Sequence, residues 1–202
     1  MAFAPYRPDH DVTFDLAHGL VHLEGAPARV LVPADALGAL CAAAGPDATA
    51  TFGRAMGRAM GLRVAGRLAA PAGAGDAARG GALSATVETM VDHLGAELSL
   101  AGLGSLGIER WGHALVIVVD HCPLGARGDA LLEAVLSEAV GALSARSVHA
   151  VLLARDGVRA RLLLANGAAA ERVRAWLAGG SSWGEALTRL HATPPAGETQ
   201  PS

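Results

Sequence analysis

The three consecutive residues Asp120, His121 and Cys122 carry the side chains best suited to chemistry, and they follow the strongest apolar run of the chain. An imidazole in contact with a thiol can activate it as a nucleophile. Adjacent residues on a strand point to opposite faces, so this contact requires the backbone to turn after the run, and Pro123 favours a turn there. Catalysis by Cys122 with His121 is therefore one hypothesis, and a buried structural cysteine is the other.

The histidines offer a second kind of chemistry, because imidazole is a common metal ligand. His18 and His22 lie four residues apart in a segment with the pattern of a strand, so they would share one face. His93 falls on the polar flank of a predicted helix, where we expect it to face solvent, and His113 falls in a predicted turn. The chain has neither an H-E-x-x-H motif nor paired C-x-x-C motifs. We therefore predict no metal site and no cofactor.

A glycine-rich stretch from Thr51 to Leu68 has the spacing of one helix with two distinct rows. Because residues four apart are neighbours on a helix, one row is a ridge of glycines and the adjoining row is large and apolar. A glycine inside a helix costs about 1 kcal/mol relative to alanine, so a ridge of them indicates that another backbone or a ligand comes close. The glycine ridge comprises Gly53, Gly57 and Gly61, and the apolar row comprises Phe52, Met56, Met60 and Val64.

The two rows allow two interpretations. The glycine ridge would let a second helix approach closely, within the fold or across a dimer. The apolar row would form the wall of a pocket for an apolar ligand, since methionine side chains adapt to the shape of what they contact. We favour the packing contact for the ridge and assign Phe52, Met56, Met60 and Val64 to the candidate ligand pocket.

Two tryptophans and a cysteine are the remaining candidate sites. Trp176 and Trp183 flank a pair of glycines near the C-terminus, and in a chain with only 3% aromatic residues they could anchor a protein partner. The alternative is that they dock the terminal helices onto the body of the protein. Cys41 lies in an alanine-rich helix, where a small buried thiol is the usual outcome and acylation is the alternative.

Composition narrows the class of protein. The chain has 202 residues, of which 51% are apolar, and its basic residues are all arginine, which is typical of a GC-rich bacterial genome. A net charge of -3 with scattered arginines argues against nucleic-acid binding. Two cysteines fit a reducing compartment, and the first residues lack the pattern of a secretory signal. The strongest apolar run is too short to span a membrane, so we expect a cytoplasmic protein.

The order of patterns along the chain predicts an α+β fold with a mainly antiparallel sheet packed against helices. We expect a flexible arm at 1–11, a single domain at 12–191 containing a flexible loop at 71–82, and a disordered tail at 192–202. The predicted strands are 12–23, 28–32, 106–111, 114–120, 148–154 and 158–165. The predicted helices are 33–44, a second ending near 70, one capped by Ser84, 129–145, 168–178 and 182–191, where Ser182 and Glu185 have capping-box spacing.

Four segments, in order, resemble the 4-vinyl-reductase-like domain family, whose fold is shared with one class of TRAPP vesicle-tethering subunits. The resemblance runs from Val12 to Leu164 and rests on HGLVHLEGAPARVLVPADAL, GRAMGRAMG, AGLGSLGIERW and ALVIVVDHCPLG. It implies a dimer built on helix packing and an apolar pocket for a small molecule or an acyl chain. Several bacterial members carry a cysteine-rich metal site on the final hairpin. Leu153 and Ala160 stand about where those thiols are expected, so the resemblance does not imply zinc here.

These observations predict a non-enzymatic module, similar to the 4-vinyl-reductase-like family, that binds a small hydrophobic molecule or lipid and forms a homodimer through its helices. The alternative is a TRAPP-like scaffold or assembly subunit that acts through protein-protein contacts and binds no ligand. An enzyme using Cys122 and His121 is the third hypothesis, and the sequence leaves the ligand, the partner and the pathway undetermined.

Overall fold

The chain folds as an antiparallel sheet with helices on both faces, which confirms the predicted α+β class. The computed structural model describes residues 11–23, 29–69, 86–112 and 114–192. The strands are β1 (Val12–Asp15), β2 (Leu20–Leu23), β3 (Ser105–Trp111), β4 (Ala114–Asp120), β5 (His149–Asp156) and β6 (Arg159–Ala165). The helices are α1 (Ala34–Ala69), α2 (Val87–Leu100), α3 (Asp129–Ser144), α4 (Gly167–Ala178) and α5 (Trp183–Ala192), with a 3-10 turn at Gly125–Gly128.

The main sheet has the strand order β3-β4-β6-β5, and all three of its pairings are antiparallel. Its central strand β4 is buried from Val116 to Val119, as a strand covered on both faces should be. One apolar cluster, which we call the inner core, lies between the sheet and helices α1, α2 and α3. A smaller cluster on the other face packs the sheet against α4 and α5.

Helices α1 and α3 form the tightest contact between two helices of the fold, and glycines make it tight. A Cβ built on Gly57 would lie 2.9 Å from the Cα of Val135 and closer still to the carbonyl oxygen of Val135. At Gly61 the same added atom would lie 2.5 Å from the carbonyl oxygen of Ala139. At distances this short the Cβ atom of any other residue would clash with the partner helix. The glycine ridge therefore lets the two backbones meet.

The sheet edge at β5 is covered by polar side chains of α3 and α4. The backbone N–H of Ala150 donates to Ser137 Oγ at 2.8 Å, and that of Leu152 donates to Glu133 Oε1 at 2.6 Å. Arg174 Nη2 donates to the carbonyl oxygen of Ala150 at 3.0 Å. Because an open edge strand invites pairing with another chain, these side chains keep β5 from extending the sheet.

The N-terminal part differs from the prediction. The segment 12–23 is not one strand but a hairpin, since Gly19 has φ of 67° and permits a turn between β1 and β2. Residues 29–32, the described part of the predicted strand 28–32, do not form a strand either, and they make one isolated bridge, from Arg29 to Val21. Asp35 is the residue that the sequence favours as the N-cap of this helix, but it lies in the first turn of α1.

Other boundaries follow the predicted ones within a few residues. Gly45, with φ of 82°, breaks the helical backbone inside α1 just before Pro46, where a helix end was predicted. The capping box is formed: Ser182 N donates to Glu185 Oε2 at 2.9 Å, and Glu185 N donates to Ser182 Oγ at 3.3 Å. The N-cap of α2 is Thr86.

Some predictions fall outside the described residues. They concern residues 24–27 between the first two predicted strands, the loop 71–82, Ser84, His113, and the arm 1–11 and tail 192–202 apart from Asp11 and Ala192. Within the described ranges, none of the helices has the length and apolarity that a transmembrane span requires.

Candidate functional site

A buried cluster of charged side chains joins α1 to α2. The side chain of Glu97 on α2 is fully inaccessible to solvent, and Arg63 and Arg67 of α1 bracket it. Arg63 Nε donates to Glu97 Oε2 at 3.0 Å, and Arg67 donates to the other carboxylate oxygen. Arg67 Nη2 also donates to Asp11 Oδ2 at 2.9 Å, which ties the chain just before β1 to the helix. We call Asp11, Arg63, Arg67, His93 and Glu97 the charged junction.

Helical spacing brings these side chains together. Arg63 and Arg67 are four residues apart on α1, and His93 and Glu97 are four residues apart on α2, so each pair lies on one face of its helix. A buried carboxylate is tolerated only when charged or polar groups compensate it, and Glu97 has an arginine on each oxygen. The charged junction is therefore a built polar site inside an otherwise apolar interface.

The position of His93 corrects the prediction from sequence. We expected this residue to face solvent, but it is 8% exposed in the structure. Its pKa is lowered from the usual value, chiefly because burial disfavours the charged imidazolium, with the positive charge of Arg67 adding to the effect and Asp92 opposing it. His93 is therefore neutral near pH 7.

Arg29 is an exposed residue whose charge is influenced by Arg63 and Glu97 of the charged junction. Desolvation by the surrounding protein lowers the pKa of Arg29, the positive charge of Arg63 lowers it further, and the negative charge of Glu97 raises it. The backbone N–H of Arg29 donates to Val21 O at 2.7 Å, which fixes this residue beside the hairpin. The charged junction itself is formed by Asp11 and by residues of α1 and α2.

The inner core lies directly beside the charged junction. Met60 and Val64 of α1 are one helical turn from Arg63 and Arg67, and both are buried. Leu94 and Leu98 are the corresponding buried residues beside Glu97 on α2. Met56 and Met90 are partly buried against the same core, so three of the four methionines of the chain gather there. A charged site and a methionine-containing apolar core therefore adjoin.

The structure divides the residues of the predicted pocket. Met60 and Val64 lie in the inner core and Met56 packs against it, whereas Phe52 is 48% exposed. The role of the row as a pocket wall stays a prediction. Sequence reasoning missed the charged junction, although Arg63 and Arg67 follow Met60 at spacings of three and seven and Glu97 interrupts an apolar helix face between Leu94 and Leu98.

Among the described residues, two surface grooves are lined by residues other than those of the predicted pocket. The larger, about 780 Å³, runs along α1 and α3, and its walls include Arg54, Arg58, Glu133 and Glu138. The second, about 560 Å³, lies between Trp111 and α5. Both grooves are open to solvent, whereas small-molecule sites bury most of the ligand surface. We therefore take the junction of α1 and α2 as the candidate site.

The geometry separates the residues of the catalytic hypothesis. His121 has φ of 59° and is exposed, so the backbone does turn after β4. Cys122, however, is fully buried in the inner core, where solvent and substrate do not reach its sulfur. Cys41 is also buried, at 7% exposure. Neither cysteine has the accessible position that nucleophilic catalysis or acylation requires.

The histidine pair does not form a ligand set. His18 lies in the turn after β1, where its Nδ1 contacts Asp15 Oδ2 at 2.8 Å, while His22 lies on β2. They therefore do not share a strand face as expected from sequence. In the part of the chain that the structure describes, no group of three or more His, Cys, Asp or Glu side chains is arranged to hold a metal ion.

The tryptophans cluster on the outer layer. Trp176 and Trp183 pack, partly buried, against the apolar core under α4 and α5, and their role as partner anchors stays a prediction. Trp183 meets the half-exposed Trp111 edge to face with ring centroids 4.7 Å apart, and Arg161 stacks 5.7 Å above the Trp183 ring. Arg161 is itself held by Glu109 at 3.1 Å, and this hydrogen bond holds the pKa of Glu109 below its usual value.

Comparison with known proteins identifies the fold. The chain is similar to the crystal structure of the phenol-responsive sensory domain of the transcription activator PoxR with phenol, with a TM-score of 0.55 and 16% sequence identity. The match covers 96% of this chain and 94% of that chain. No protein-family model matches the chain, and no curated protein matches it either.

Proposed function

We propose that this protein is a non-enzymatic domain that binds a small, mainly apolar molecule between α1 and α2. The observation that carries the proposal is the buried, arginine-bracketed carboxylate of Glu97, which lies on α2 between two leucines of a methionine-containing apolar core. Ligand sites combine this kind of apolar wall with a few polar groups that orient the ligand. The fold of a sensory domain solved with phenol supports the same function.

Methionine side chains give this site a means of admitting a ligand. Met56, Met60 and Met90 lie in the inner core or against it, and an unbranched thioether can change rotamer at low cost. The seam of α1 with α3 lacks this freedom, because backbone atoms fill it. A ligand would therefore enter on the α2 side of α1 by displacing methionines, while α3 holds the helix in place.

The test uses methyl labelling, because the methionines report on the site directly. Protein labelled with ¹³C at the methionine methyl groups is titrated with phenol, benzyl alcohol and 1-octanol, and the Met56, Met60 and Met90 signals are followed. We expect a saturable shift of at least one of these signals.

Two results would count against the proposal. Binding that leaves all three of these methyl signals unchanged would place the ligand elsewhere. Absence of binding at millimolar concentration, together with no small molecule released on solvent extraction of the purified protein, would remove the ligand function and leave the scaffold alternative.

The scaffold alternative and the homodimer have support from a different surface. Large apolar side chains are exposed along the outer side of α1 and the segment before it: Val30, Leu31, Val32, Leu40, Phe52 and Leu62 are all between 48% and 83% exposed. Exposed apolar patches of this kind mark protein-protein contacts. We include in the proposal that this protein acts as a cytoplasmic homodimer joined through α1.

Light scattering tests this part of the proposal. The double variant Phe52→Glu/Leu62→Glu should reduce the molecular mass from that of a dimer to that of a monomer. Val158→Glu, at a residue 51% exposed in the turn between β5 and β6, is the matched control and should leave the mass unchanged. A wild-type protein that is monomeric at all concentrations would overturn the homodimer.

A further inference from the structure

Helix α1 is interrupted at Gly45, between a part that precedes this residue and a part that follows it. Gly45 has φ of 82° and ψ of 171°, a backbone conformation that is essentially confined to glycine. Pro46 comes next and has no N–H to donate to the turn before it. Hinges are formed by a few residues of this kind, whose dihedral angles absorb a change in direction. We call residues 34–44 the first half-helix.

The two parts of α1 differ in how much they bury. In the first half-helix only Gly38 and Cys41 are buried, while Ala34 and Leu37 pack partly buried against the inner core and Leu40 is 64% exposed. The part after the interruption buries eight residues, and its glycine ridge meets the backbone of α3. Because segments with few buried contacts open more readily than the rest of a fold, the first half-helix is the part of α1 that can detach.

Two further contacts hold the first half-helix in its closed position. The buried hydroxyl of Thr49, beyond the interruption, donates to the carbonyl oxygen of Cys41 at 3.0 Å. Among the described residues, this is the only hydrogen bond that the first half-helix receives from a side chain. The exposed side chain of Arg127 lies over Gly38, with its Nε 3.4 Å from a Cβ built there. Both contacts are made by single side chains, so they can break without disturbing the seam of α1 with α3.

We infer that the first half-helix is a cover that opens as one unit by rotation at Gly45, while the rest of α1 stays fixed on α3. Opening breaks the hydrogen bond of Thr49 and lifts Leu37 and Cys41 away from the inner core. The inner core thereby becomes accessible without unfolding of the sheet. This opening lies at the beginning of α1, whereas the charged junction of the proposed ligand site lies near its end, so the inference does not depend on ligand binding.

The cysteine of the first half-helix reports on the opening. The protein is treated with iodoacetamide at pH 8 in increasing urea, and the rates at Cys41 and Cys122 are measured separately by mass spectrometry of tryptic peptides. The rate at Cys41 should not change with urea below the unfolding transition, because a small opening exposes little new surface. Cys122 is fully buried and its backbone N–H is bonded to Val158 O. It should react about tenfold or more slowly, at a rate that rises with urea.

A pair of threonine variants links this rate to the opening. Thr49→Val removes the hydrogen bond to Cys41 O and should speed the reaction of Cys41 about fivefold. Thr51→Val is the matched control, because its hydroxyl donates to Asp47 O on the exposed side of α1 after the interruption, and this variant should leave the rate unchanged. An unchanged rate in Thr49→Val would mean that iodoacetamide reaches Cys41 without any opening, and would overturn the inference.

Hydrogen exchange decides whether the first half-helix opens as a unit. The amides of residues 38–44 should share one degree of protection, lower than that of residues 57–64 in the seam with α3. Protection that rises residue by residue toward Gly45 would show fraying from the first turn, and protection equal to that of residues 57–64 would show opening only by global unfolding. Either result would overturn the inference. Neither measurement uses a ligand, so these outcomes are separate from success or failure of the proposed function.

Discussion

Helix α1 has two faces that contact their neighbouring helices in different ways. Toward α3 it presents glycines, and a side chain at Gly57 or Gly61 would collide with backbone atoms of the partner helix. Toward α2 it presents methionine and long arginine side chains, which reach across to a buried carboxylate. The first contact is between backbones and the second is between flexible side chains.

This difference separates a fixed contact from an adaptable one. Close-packed backbones cannot shift without losing many contacts at once, because protein interiors leave few voids. Methionine and arginine side chains have several rotatable bonds and can rearrange locally. The α3 side therefore positions the helix, and the α2 side is where we propose that a ligand is accommodated.

We expect the largest effect on stability from a substitution that places a side chain in the close contact between α1 and α3. Gly57→Leu should abolish folding or lower the free energy of unfolding by more than about 4 kcal/mol, because the side chain would need the space of the Val135 backbone. Chemical denaturation followed by circular dichroism measures the change. Gly66→Leu is the control: no atom lies within 4 Å of a Cβ built there, so this variant should be as stable as the wild type or more stable. Equal stability of the two variants would show that the seam is not close-packed.

The next effect is expected at the charged face. Glu97→Ala leaves Arg63 and Arg67 without their buried carboxylate, and we expect a loss of about 3 to 5 kcal/mol in the free energy of unfolding. Glu88→Ala, on the same helix but in an exposed pair with Arg110, should cost far less. Urea denaturation measures the free energy of unfolding of the two variants. Similar losses would mean that the charged junction contributes no more to stability than a surface ion pair.

A smaller effect is expected from pH. The pKa of His93 in the folded protein lies below the ordinary 6.5, so the unfolded chain takes up this proton first as pH falls. His93 therefore lowers stability as pH drops through the ordinary pKa toward the folded one, and has no such effect above it. Substitution by Gln should reduce the difference in melting temperature between pH 7.5 and pH 5.5. An unchanged difference would show that His93 does not titrate differently on folding.

The smallest effect is expected where charge links α1 to α3. Arg58 and Glu138 form an exposed pair at 3.7 Å beside the glycine seam. Arg58→Gln should change the free energy of unfolding by no more than about 1 kcal/mol, measured in the same denaturation assay. A loss as large as that of Glu97→Ala would mean that charge, rather than close backbone packing, holds α1 to α3.

Hydrophobic periodicity predicted most of the strands and helices of the fold. The predictions that were wrong lie mainly at the N-terminus. The alternation and apolar runs of β4 and the face of α3 are strong signals, and both elements lie where they were expected. Residues 12–23 carry a strand pattern throughout, but the turn before Leu20 needs only one glycine with positive φ. A single glycine in an alternating run does not show whether the chain continues or reverses.

Sequence reasoning predicted only the apolar part of the candidate site. The apolar row on α1 was visible because it repeats every four residues, but the arginines beside it looked like ordinary surface charges. Arg63 and Arg67 are recognisable as part of a site only because they bind Glu97. This residue is more than 25 residues away along the chain and comes close to them only in the folded protein. His93 was misplaced for the same reason, because its helix face is covered by groups from other elements.

Local spacing along the chain was enough to predict the α+β class, most element boundaries and the two rows of the glycine-rich helix. The folded protein was needed to show which face of α1 meets which helix, that a carboxylate and two arginines come together, and that Cys122 is buried away from solvent. Those features arise from contacts between distant segments, and burial turns an ordinary charged residue into part of a site only when its partners arrive from elsewhere in the chain.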